Sequence, residues 1–190
     1  MKTRADALSL LHEYTAGESL RKHAYAVEAS MRAYAAHYGE DVEKWSVTGL
    51  LHDFDYEKYP TPAEHTIVGT RILREQGYPE DIIRAIQGHA DYNGIQRETR
   101  MEKALYACDE LSGFVMAVAM VRPNRRLDEV EVRSVRKKLK DKAFARGVNR
   151  DDVVRGAEEM GLDLDEHIAF VIGALTRVAP ELGLEDGQGA

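Results

Sequence analysis

Apolar residues recur at three- and four-residue steps along almost the whole chain, and no stretch alternates as a half-buried strand must. That periodicity restricts the chain to an all-α architecture, in which each helix buries one stripe against its neighbours. The punctuation agrees, because prolines fall in turns or at helix starts and glycines stand where helices should stop. A first helix is expected over Arg4 to Tyr14, capped by Thr3. A second runs from about Ser19 to Tyr38, stopped by Gly39, and a third from about Asp41 to His52. Thr61-Pro62-Ala63-Glu64 reads as a capping box with proline at the first helical position, opening a helix that ends at Gly77. A short helix leads from Pro79 to His89. Thr99-Arg100-Met101-Glu102 is a second capping box, opening a helix that extends to about Met120. Beyond the Pro123-Asn124 turn, helices are expected from about Asp128 to Lys140, from a cap at Asn149 or Asp151 to Gly161, and from about Asp165 to Ala179. The last puts Ile168, Val171, Ile172, Leu175 and Val178 on one face, which reads as core. Gly187 to Ala190 form a Gly-rich tail.

Length and burial potential suit a single domain over 1–190. No apolar run approaches the roughly 20 residues that span a bilayer, and no secretory signal is visible behind Met1. The single cysteine, Cys108, cannot form an internal disulfide and reads as a small buried residue. A cytoplasmic protein with no membrane partner is therefore expected. Net charge is −7, which argues against general nucleic-acid affinity. The charge is uneven. Eleven Lys/Arg against four Asp/Glu between Val121 and Arg150 make that segment +7 and leave −14 elsewhere. Arg122, Arg125 and Arg126 cluster at the turn, and Arg133, Arg136, Lys137 and Lys140 follow on one helical face. That face is either solvated surface or a rim that draws in an anionic substrate.

The third helix carries the chemistry. Its apolar run, Val47 to Leu51, drives directly into His52-Asp53. A buried helix end finishes on two adjacent titratable side chains when something pairs with them, or else it is simply a polar stop. A divalent metal is one such partner, because imidazole nitrogen and carboxylate oxygen suit Fe, Mn, Co and Zn. Other polar residues stand at helix ends or in apolar settings. Together they are His23, His52-Asp53, His65, His89 and Asp109, in the order His, His-Asp, His, His, Asp.

This order and spacing, with the stretch Gly49-Leu50-Leu51-His52-Asp53, resemble the HD-domain superfamily of metal-dependent phosphohydrolases. The resemblance covers roughly His23 to Met120. It implies an HD-domain-like helical bundle, with a metal-site core at about 19–120 and additional C-terminal helices at about 121–180. Carried over by position, His23, His52, Asp53 and Asp109 hold one metal. His65 and His89 match the extra histidines of the two-metal branches, with Asp53 shared between both ions. The implied cofactor is one or two divalent transition metal ions: Fe, Mn, Co, Ni or Zn. A metal ionises its bound water near pH ~7 instead of ~16, so no activated side-chain nucleophile is required.

The chain departs from the best-known members. Several two-metal branches place lysine three residues after the signature aspartate, where this sequence has Tyr56. Lys58 is the nearest lysine and is taken, with Asp53, as a candidate catalytic residue. The Gly-Tyr-Pro motif of the cyclic-dinucleotide branch is absent. His12, His37 and His167 fall outside the pattern and read as surface or hydrogen-bonded helix residues. Asp55, Glu57, Glu64 and the Asp91-Tyr92 pair lie near the implied ligands; one of them could act as a general acid or as an outer partner of a ligand, although each taken singly reads as solvated surface. The reading is a phosphomonoesterase or phosphodiesterase acting on a nucleotide or small phosphorylated metabolite. Two alternatives remain: a di-iron oxygenase built on the same ligands, and a non-catalytic metal- or ligand-binding module. The sequence does not indicate an oligomeric state.

Overall fold

A computed structural model describes residues 2–185, and the Gly-rich tail lies outside the described residues. The described residues form ten α-helices and no strand. They are α1 (Arg4–Tyr14), α2 (Glu18–Tyr38), α3 (Val42–Leu51), α4 (Ile67–Glu75), α5 (Glu80–Gly88), α6 (Arg100–Met120), α7 (Val132–Leu139), α8 (Arg150–Met160), α9 (Leu164–Thr176) and α10 (Ala179–Leu182). The all-α expectation is met, with α7 to α10 extending the bundle beyond α6. No helix among the described residues is long and apolar enough to cross a membrane.

Local signals explain most boundaries. Thr3 and Asp6 close a reciprocal capping box on α1, and Thr99 and Glu102 do the same on α6. Gly39 and Gly161 end α2 and α8 in the left-handed conformation, both at φ 69°. Asn149 caps α8 by accepting from the Asp151 N–H.

The centre of the bundle is α2, α3 and α6, which bury Val27, Met31, Leu50, Leu51, Leu105 and Leu111 completely. Glycine sets two of the approaches. A Cβ on Gly49 would lie 2.8 Å from the Glu28 Cα, so α3 meets α2 backbone to backbone. A Cβ on Gly156 would lie 2.6 Å from the Ala107 Cα, so α8 lies equally close along α6. His167 fastens α9 to this centre. The Tyr34 hydroxyl is 2.6 Å from its Nδ1, and its Nε2 is 3.0 Å from the Ala107 carbonyl. It is fully buried, and burial lowers its pKa, which suits a neutral ring that donates at Nε2 and accepts at Nδ1. The core face expected on the last helix is present, with Ile168, Val171 and Leu175 buried.

Three boundaries differ from expectation. The Thr61 box does not open an α-helix. Residues 61–66 form successive turns, and α4 begins at Ile67. The reason is Thr66, held at φ 62° while its backbone N–H donates to the Asp55 carboxylate at 3.0 Å. A tertiary partner thus relocates the helix start. Residues 127–129 form a 3-10 turn that buries Leu127 ahead of α7. The final helix breaks after Thr176, and α10 follows separately.

Candidate metal centre

Two helix ends aim histidines the same way. His52 follows the last residue of α3 and His89 the last residue of α5. Each turns its Nδ1 back onto its own helix, His52 to the Gly49 carbonyl at 2.8 Å and His89 to the Ile86 carbonyl at 2.6 Å. A carbonyl can only accept, so Nδ1 carries the proton and Nε2 keeps its lone pair facing away from the helix. His65 is oriented similarly, with Nδ1 2.9 Å from Asp55 Oδ1. Fixing the far ring nitrogen in this way is how proteins present imidazole to a metal.

The free faces converge. His23, His52, Asp53 and Asp109 offer ligand atoms all within 4.8 Å of one another, and so do Asp53, His65 and His89. In the first group, His23 Nε2 lies 2.9 Å from Asp109 Oδ1 and 3.2 Å from His52 Nε2. In the second, His65 and His89 place Nε2 at 3.1 and 3.2 Å from Asp53 Oδ1. Asp53 Oδ2 turns the other way, 3.5 Å from His52 Nε2. The two oxygens of Asp53 therefore face two groups. Nitrogen lone pairs and carboxylates brought this close in a buried pocket demand positive charge between them, and a divalent cation fits that donor set.

Protonation expresses the same demand. Burial alone would lower the pKa of His52, His65 and His89, yet the neighbouring carboxylates outweigh it and raise all three. His65, bonded to both Asp53 and Asp55, reaches about 9. Burial would raise Asp53 and Asp109, but His52 and the adjacent rings hold both below the usual carboxylate range. Metal and proton therefore compete for the same nitrogens. Below pH 9 the His65 proton must leave before Nε2 can bind, so apparent metal affinity should rise with pH. The expected slope is about tenfold per pH unit for each proton displaced. Titrations with one metal at pH 6.5 and 8, run in buffers of different ionisation enthalpy, read both the slope and the proton release. Equal affinities at the two pH values would contradict it.

The two groups open into a cleft of about 590 Å³. Tyr56 and Tyr92 stand at its mouth, each exposed and packed near the His65 ring. Tyr106 and Glu110 from α6, with Asn149, the cap of α8, and Asp152 on α8, form one wall. Burial and the nearby Asp109 charge push the Glu110 carboxyl up to about 7.

The chain matches the HD domain family over residues 20–114, and the two ligand groups lie on that stretch. The chain belongs to the HD-domain family. It is 30% identical over 118 residues to ribonuclease Y of Lawsonia intracellularis, covering 60% of this chain and 21% of that protein. Ribonuclease Y of Thermosipho melanesiensis is 29% identical over 119 residues, with the same coverages. An uncharacterised protein of Methanocaldococcus jannaschii is 34% identical over 87 residues, covering 46% of this chain and 50% of that protein. The chain thus spans about a fifth of the length of the ribonuclease Y relatives. No solved structure matches it. HD-domain membership and two His/Asp groups able to hold metal support a metal-dependent phosphohydrolase in general terms.

All six residues implied as ligands are brought together in this HD domain. Lys58 is not. Its Nζ donates to the Glu13 carbonyl at 3.1 Å and sits 4.0 Å over the Tyr14 ring, so it is turned onto α1 and does not line the cleft. The basic run is likewise elsewhere. Arg133, Arg136, Lys137 and Lys140 line a separate surface depression with Asp165, and none of the basic cluster lines the cleft. Asp55 is not a solvated surface acid; its geometry fits the other reading of this group, an outer partner of a ligand. It is 1% exposed and accepts from His65, from the Thr66 N–H at 3.0 Å and from the Gly69 N–H at 2.9 Å. A Cβ on Gly69 would lie 2.6 Å from Asp55 Oδ2, so glycine is what admits the carboxylate. Glu57 instead accepts from the Ala16 and Gly17 N–H groups ahead of α2, and Glu64 pairs locally with Thr61. Glu110 and Asp152 were not singled out in the sequence. Glu110 carried one signal, its place beside Asp109 in Ala107-Cys108-Asp109-Glu110; Asp152 carried none, because only the packing of α8 on α6 brings it to the cleft.

Proposed function

We propose that this HD domain hydrolyses a phosphate ester of a nucleotide or related small phosphorylated metabolite, using one or two divalent transition metal ions. The observation that carries the reading is the convergence of three Nδ1-anchored histidines, through Nε2, on Asp53 and Asp109. His23, His52, Asp53 and Asp109 would hold one ion, and Asp53, His65 and His89 the other. Bound there, the metal would supply Lewis acidity toward phosphate and a water that ionises near neutral pH. The chain's own residues do the rest. Asp55 holds the His65 ring, the Gly49 and Ile86 carbonyls hold His52 and His89, and the cleft admits a small molecule. Asp53 is the catalytic residue we retain; Lys58 points elsewhere, and we assign it no role.

The likeness to proteins named ribonuclease Y supports phosphate-ester cleavage as the reaction class. The reading treats the metal-site core and the C-terminal helices as one working unit over 1–190, since α8 supplies part of the cleft wall. Purified protein assayed with Mn, Fe, Co, Ni or Zn against phosphomonoesters, phosphodiesters and nucleotides should show turnover that a chelator stops. If every combination is silent and oxygen is consumed with iron, the chemistry is oxidative. Silence in both assays, with metal bound, leaves a binding module.

A further inference from the structure

The cleft walls carry a charge pattern that narrows the substrate. Among the described residues no Lys or Arg side chain lines the cleft. The walls beyond the metal-holding groups present Asp91, Glu110 and Asp152, with tyrosine hydroxyls and Asn149 between them. The nearest guanidinium groups, Arg97 and the more exposed Arg155, are paired with the wall's own carboxylates and do not line the cleft. The Arg97 side chain is 7% exposed. It binds Glu159 at 2.7 Å, Asp91 at 2.9 Å and the Gly88 carbonyl at 2.7 Å, and stacks 3.5 Å over the Tyr106 ring. Arg155 binds Asp152 at 2.7 Å and the Tyr106 hydroxyl through Nε at 2.7 Å, and also contacts Asp91.

We infer that the substrate is a small ester with a single phosphate, whose other half is hydroxylated or cationic and carries no further negative charge. The inference rests on the phosphohydrolase reading above. Two divalent ions offset by Asp53 and Asp109 leave about two positive charges, which one phosphate dianion meets. A second anionic group would then lie against Asp152 and Glu110, where the one neighbouring cation, Arg155, is already paired with Asp152 and Asp91 and repulsion between like charges opposes binding. Sites that bind polyphosphates or nucleic-acid backbones do the opposite and line the path with Lys and Arg. Carboxylate oxygens and tyrosine hydroxyls instead suit vicinal hydroxyls or an ammonium group.

Three phosphomonoesters of similar size isolate the charge: glycerol phosphate, ethanolamine phosphate and phosphoglycerate. Calorimetric binding to manganese-loaded protein, run beside kcat/KM, should favour the first two over phosphoglycerate by about tenfold or more. The double variant Asp152→Asn, Glu110→Gln should close most of that gap without loss of metal. Phosphoglycerate or an oligoribonucleotide binding as tightly as glycerol phosphate overturns the inference, and so does a gap that survives in the double variant. Binding in the expected order without turnover would reject the hydrolase reading and leave the charge selection standing. Turnover without the order would do the reverse.

Discussion

Asp53→Ala is expected to empty both metal positions at once. Its Oδ1 faces the Nε2 atoms of His65 and His89, while its Oδ2 turns toward His52 in the other group. No other residue belongs to both groups. His65 and His89 would be left as a two-nitrogen site, and His23, His52 and Asp109 as a weaker three-ligand one. The loss of turnover should therefore exceed the ~10–100-fold that follows removal of an outer hydrogen-bond partner of a ligand. The fold should survive, because the replacement removes a half-buried carboxylate whose charge needed compensation and lets the histidines become neutral. Metal content by elemental analysis, with helical circular dichroism as the control, reads the outcome. Full occupancy in a folded Asp53→Ala protein would show that the two groups are not joined through this residue.

Asp55→Ala should cost both stability and the second metal. The carboxylate is buried and accepts from one ring N–H and two backbone N–H groups. Leaving those backbone donors without an acceptor costs roughly 1–3 kcal/mol each. In a chain of this size a total of about 2–6 kcal/mol lowers Tm by roughly 4–24 °C. Asp55→Asn separates that loss from the orienting role. An amide keeps the shape but cannot accept on both sides. If its oxygen faces His65, its NH₂ meets the Thr66 and Gly69 N–H groups; if reversed, it donates to Nδ1 and moves the ring proton to Nε2, where the metal should bind. Asp55→Asn should therefore retain more stability than Asp55→Ala, yet lose the His65–His89 metal and about 10–100-fold in rate. An Asp55→Asn protein with parental metal content and rate would reduce Asp55 to a structural cap.

Much of the architecture was legible along the chain because its causes are local. Helical spacing, the reciprocal boxes at Thr3 and Thr99, and the glycine stops at Gly39 and Gly161 act within a few residues. The order of the six polar residues was equally visible, since each stands at a helix end or in an apolar setting. What sequence could not convey is how side chains from distant helices meet. Asp55 reads as one acid in a charged loop until the Thr66 turn folds over it and Gly69 makes room. The same contact moves the start of α4 five residues beyond Pro62, the first helical position expected from the sequence, overriding a well-formed local signal. Lys58 lay five residues from Asp53, yet the turn after α3 sends it to the Tyr14 ring. Asp152 lay far from every ligand, yet Gly156 lets α8 approach α6 closely enough to bring it to the cleft. The sequence by itself determined the helices and the ligand order, because propensity, capping and periodicity are properties of neighbours. Only the tertiary structure decided which carboxylates are buried partners, which cations are committed elsewhere and what charge the cleft presents, because burial and electrostatic pairing depend on distance in space.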